Sequence, residues 1–137
     1  MSDPNSNSAI EIYDSMLDSL MNEDQRVVLD LEPAYIHRST GTPGVDPSVG
    51  WVQDIILLVD GTIEGSLTEL PCDLWEGSLQ VGDQKIENII PLPVDYRGEV
   101  TLTLVTQSLN RVIVRGSAIS ANPIGEAKFI EEFSGVS

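Results

Sequence analysis

The sequence predicts a predominantly all-β domain: an antiparallel meander forming a small β-barrel or a two-sheet sandwich, with one N-terminal amphipathic helix. Three observations carry this. From Gln25 onward apolar and polar residues alternate with the period of a strand, and β-branched residues are frequent. Gly, Pro, Asn and Asp interrupt that alternation at short intervals, which favours antiparallel neighbours, because a parallel crossover needs about a dozen residues or more. Only the stretch before residue 23 shows apolar residues at steps of three and four. At 137 residues, one domain is expected.

Residues 1–7 have no apolar side chain after Met1 and are read as a flexible arm. Ser8-Ala9-Ile10-Glu11 has the spacing of a capping box, in which a serine hydroxyl and a glutamate satisfy free N–H groups of a first helical turn. A helix is therefore predicted over 8–22, with Ile10, Tyr13, Met16, Leu17, Leu20 and Met21 on its packed face. An antiparallel β domain should follow over 25–133. Its first strand, 26–38, alternates Val27, Leu29 and Leu31 with polar residues, and Pro33, which has no N–H to donate, forces an edge position or a bulge.

A long loop is expected over 39–50, rich in Gly and Pro. The strand 51–59 contains the apolar run from Ile55 to Val59, and Asp60-Gly61 suits a two-residue hairpin turn, returning the chain through 62–70. A second hairpin pairs 78–81 with 84–90 around Gly82-Asp83, and Pro91 and Pro93 make an extended connector. Val100, Leu102 and Leu104 alternate with threonines in a half-buried strand. The last strands, 111–121 and 126–133, are expected to join through a turn at 122–125, with 134–137 a frayed end. Gly65, Gly77 and Gly116, inside strand patterns, mark sharp bends.

Composition narrows the function classes. Seven Lys and Arg face 22 Asp and Glu, a net charge of −15, which repels a phosphate backbone and argues against nucleic acid. The longest apolar run is far short of the roughly 20 residues of a membrane helix, so no membrane association is expected. One cysteine and the absence of a signal-peptide pattern point to a reducing, cytoplasmic location.

No catalytic set assembles from the sequence. His37 is the sole histidine, which excludes a two-histidine zinc site and leaves one acid-base candidate near neutral pH. Cys72, between apolar residues, reads as a small buried hydrophobe. Asp3, Asn5, Asn7, Glu11 and Asp14 imitate the ligand spacing of a calcium loop, but Ser8 stands where the turn needs glycine and Asp14 where it needs a bidentate glutamate. Adjacent Glu131 and Glu132 point to opposite faces of a strand and cannot act as a pair. No metal and no cofactor are assigned.

What remains is a candidate ligand or partner surface. Trp51, Trp75, Tyr35 and Tyr96 could stack on a sugar or other flat ligand, and Arg97 could anchor an anion. His37 and Arg38 at one end of the long loop, with Trp51 at the other, should lie near one rim of an antiparallel sheet. The expected function is a non-enzymatic binding or protein-interaction module, with a small ligand or a basic protein as partner. The alternative is a small β-barrel enzyme using His37 or a buried carboxylate as acid-base.

Overall fold

A computed structural model describes residues 8–39, 48–65, 67, 69–92 and 94–133. The expected arm at 1–7, the centre of the long loop at 40–47 and the expected frayed end at 134–137 lie outside the described residues. Nine strands are formed: β1 Ser8–Glu11, β2 Met16–Glu23, β3 Arg26–Ser39, β4 Ser48–Gly65, β5 Cys72–Val81, β6 Gln84–Glu87, β7 Ile89–Leu92, β8 Asp95–Thr106 and β9 Arg111–Phe133. They make one sheet, antiparallel throughout, in the order β2-β5-β8-β9-β4-β3-β1-β7, with β6 on β5. Pairing of β2 with β3 closes six of them into a ring.

The connectivity is not the simple meander that short loops suggest. Hairpins join β2 to β3, β3 to β4, β5 to β6 and β8 to β9, but β4 pairs with β9, β5 with β8, and β1 with both β3 and β7. The inner face carries the core. Leu29 and Leu31 of β3, Ile55, Leu57 and Val59 of β4, Leu102 and Leu104 of β8, and Val112 and Val114 of β9 are all fully buried, each removing apolar surface from water.

The predicted helix over 8–22 is absent; two short strands take its place. Ser8, Ile10 and Ile12 recur with a period of two and are buried, and Leu17 is buried in β2, while Tyr13 and Met21 are exposed. Ser15 makes the break between β1 and β2 workable. Its hydroxyl donates to the Glu11 carbonyl at 2.7 Å and accepts the Tyr35 amide at 2.9 Å. A helix of that length is marginal in water, whereas two strands each gain ladder partners on both sides.

Two predicted turns are also overturned. The chain does not reverse at Asp60-Gly61: β4 runs straight through it to Gly65, with a register shift where it passes β9. Gly61 and Gly116 face each other there, and a Cβ on Gly61 would stand 1.9 Å from the Arg115 carbonyl oxygen. The segment 122–125 is likewise not a turn but an irregularity within β9, where Gly125 takes φ +73° and the Gln53 side chain donates to its carbonyl at 3.0 Å. In contrast, β3 is bulged around Pro33 and Gly82 makes the β5–β6 turn with φ +58°, as the sequence implies.

Candidate functional site

The end of the ring nearest the long loop is built by β1, β3, β4, β7 and β9. In β3 and β4, Ile36 pairs with Trp51, His37 with Gly50 and Arg38 with Val49, so the two ends of that loop stand within three rungs of the ladder. Across β1 the register places Ser8 beside Arg38 and Leu92, and Ile10 beside Ile36 and Ile90. Alternation then sorts the side chains. Ser8, Ile10 and Ile36 share the inner face, while His37, Tyr35 and Glu11 lie on the outer one.

On the inner side this arrangement leaves a recess of about 150 Å³. Ile36, Trp51, Ile55, Leu92, Ala121 and Pro123 supply its apolar walls. Its polar contributions come from Ser8 and from Gln53, whose amide nitrogen is already engaged with Gly125. Trp51 is half-buried and packs against the core, so one part of the indole is held while another borders the recess. Ser8 is 4 % exposed, and its hydroxyl oxygen is enclosed with no hydrogen-bond partner among the described residues. A buried polar group in that condition is rare and costs about 1–3 kcal/mol.

On the outer face His37 Nδ1 lies 3.0 Å from Glu11 Oε1, a pair the strand register makes natural and the sequence alone does not reveal. Tyr35 lies over Gly50 beside them: a Cβ at residue 50 would stand 2.1 Å from the tyrosine hydroxyl. The side chain of Arg38 lies outside the described residues.

The remaining candidates are dispersed. Trp75 stacks edge-on against Tyr13 with ring centroids 5.4 Å apart, and both rings are exposed. Tyr96 packs on the core with its hydroxyl over the backbone of Gly82 and Gly98, so it serves the sheet and leaves little face for a ligand. Arg97 borders a separate recess of about 150 Å³ with Arg26, Asp60 and Asp95. Arg26 Nε is already bonded to Asp60 Oδ1 at 3.1 Å, which leaves that recess of mixed charge. Cys72 is half-buried; desolvation, then Asp73 and Glu69, push its thiol up, the reverse of what a nucleophile needs.

One cluster escaped sequence reading. Asp18, Asp30 and Glu32 bring carboxylate oxygens within 4.8 Å of one another at the β2–β3 seam. Hydrogen bonding to Asp18, then repulsion from Asp30, pushes the Glu32 carboxyl up to about 7. Burial and the charges of Asp18 and Asp54 raise Asp30 as well. Three carboxylates so close can relieve repulsion by holding a hard cation or by sharing a proton. The cluster lies on the outer face, since Asp30 pairs with Ile56 while its neighbour Leu31 pairs with inward-facing Ile55. It is therefore on the other side of the sheet from the Trp51 recess.

Comparison with known proteins finds no family model that matches the chain, and no match among curated proteins or solved structures. Among the described residues no helix is long and apolar enough to cross a membrane.

Proposed function

We propose that the chain is a non-enzymatic binding module whose ligand site is the Trp51 recess. The observation that carries the reading is the recess itself: an apolar hollow beside a half-buried tryptophan at the end of the ring, with one enclosed hydroxyl on its wall. Ligand sites characteristically combine apolar walls with a few placed polar groups. The acid-base alternative finds less support, because His37 with Glu11 and the Asp18-Asp30-Glu32 cluster both lie on the outer face, away from that hollow. A cytoplasmic setting belongs to the proposal and rests on the single cysteine.

The net charge of −15 adds a second surface property: association with a basic protein would be fastest at low ionic strength and screened beyond about 8 Å at physiological salt. The test of the main reading is a small-fragment screen by ligand-observed NMR, repeated on Ala121→Phe, which fills the hollow. Fragments that bind the natural chain and are lost on filling support the module. Turnover of any substrate that His37→Ala abolishes, with folding intact, would replace this reading with the enzyme.

A further inference from the structure

Resting on that reading, we infer that the recess takes a neutral, single-ring aromatic compound bearing one hydroxyl, with the ring against Trp51, Ile36 and Leu92 and the hydroxyl on Ser8. Three features select this class. First comes size: the recess holds about 150 Å³, and a closed cavity of about that volume lined by aliphatic and aromatic side chains takes up one benzene ring. Second comes charge. Every described side chain that lines the hollow is uncharged, so along those walls an ionised group would lose its hydration without a counter-charge; the side chain of Arg38, opposite Ser8 in the ladder, is outside the described residues.

Third comes the hydroxyl of Ser8. The inward register of β1 sets it on the same face as Ile10 and Ile36, on the wall of the hollow. It is enclosed and has no partner among the described residues, although the β1 backbone on either side of it is laddered to β3 and β7. A strand position facing a core normally carries an aliphatic residue, as Ile10 and Ile90 do one rung further in. A serine hydroxyl can both donate and accept, and rotation about one bond lets it meet a ligand hydroxyl in either sense. A ring without a polar group would leave that oxygen orphaned; a hydroxylated ring relieves it.

Phenol and benzene are the probes, each titrated into the full chain with the amide signals of Ser8, Trp51 and Ala121 followed by NMR. Phenol is expected to bind about two- to tenfold more tightly than benzene, the range one net hydrogen bond supplies. In Ser8→Ala, which removes one atom and should fold at least as well, that preference is expected to vanish while benzene binding persists. In Ala121→Phe both probes should be excluded. Phenol preference that survives in Ser8→Ala, or equal binding of the two probes to the natural chain, overturns the inference and leaves the recess as a binding site. Failure of both probes to perturb these signals overturns the inference and the site together.

Discussion

Asp18 on β2 and Glu32 on β3 meet carboxyl to carboxyl across the seam that closes the ring, and this hydrogen bond is the main reason Glu32 holds its proton up to about 7. The ladder slips by one residue between Leu17 and Ser19, which bulges β2 at Asp18, while Leu17 stays opposite Leu31 on the inner side.

Because the folded Glu32 titrates above its ordinary value of 4.5, folding takes up a proton between these two pH values. The stability this contact supplies is full below about 4.5 and is lost as pH rises through about 7. Thermal unfolding at pH 5 and pH 8 should show a larger fall in Tm for the natural chain than for Glu32→Gln, which keeps the hydrogen bond without the titration. Equal falls in the two proteins would show that general repulsion among the acidic residues, and not this pair, sets the pH dependence.

The replacement of a helix by β1 and β2 separates two residues that the helical stripe would treat alike. Leu17 is fully buried, whereas Met21 is 47 % exposed. Leu17→Ala should cost about 2–5 kcal/mol in urea unfolding, through lost burial and a residual cavity. Met21→Ala should stay within about 0.5 kcal/mol, as exposed sites usually do. Similar costs for the two would restore a helix packed through one face.

Gly61 and Gly116 give the third prediction. A methyl on Gly61 meets the Arg115 carbonyl oxygen, a backbone atom that cannot rotate aside, so β4 and β9 would have to separate. Gly61→Ala should destabilise by about 1–3 kcal/mol or more, measured in the same urea experiment. Were Asp60-Gly61 the tip of a two-residue hairpin, no opposing strand would stand there, and alanine would cost only turn strain.

What was legible in the sequence is what short-range pattern controls. Val100, Leu102 and Leu104 alternate and are buried as they should be; Pro33 bulges its strand; Gly82 turns the chain. The errors fall where distant pairing decides. Ile10 suits either spacing, whereas Leu17 and Leu20, three apart, suit a helix and share a strand face only through the bulge at Asp18, which the distant ladders to β3, β5 and β7 bring about. Asp-Gly is a good turn signal until another strand comes close enough to require glycine for a different reason. The site followed the same division. Proximity of His37 and Arg38 to Trp51 needs only the β3–β4 hairpin, but the hollow beside Trp51 needs Leu92 and Ala121, which arrive from β7 and β9. The one sequence signal that could have pointed there is Ser8, a polar residue in step with Ile10 and Ile12.

The two tryptophans offer a direct check of the site geometry. Trp75 is 43 % exposed beside Tyr13, while Trp51 is partly sheltered by the core and by the walls of the recess. Acrylamide is neutral, so the net charge of −15 does not bias its approach as it would for iodide. Quenching of Trp75→Phe, which reports Trp51 alone, should be several-fold weaker than quenching of Trp51→Phe, which reports Trp75. Phenol bound in the recess should weaken it further in the first variant and leave the second unchanged. Equal quenching of the two variants would put Trp51 on open surface, and the hollow that its indole borders would not exist in solution.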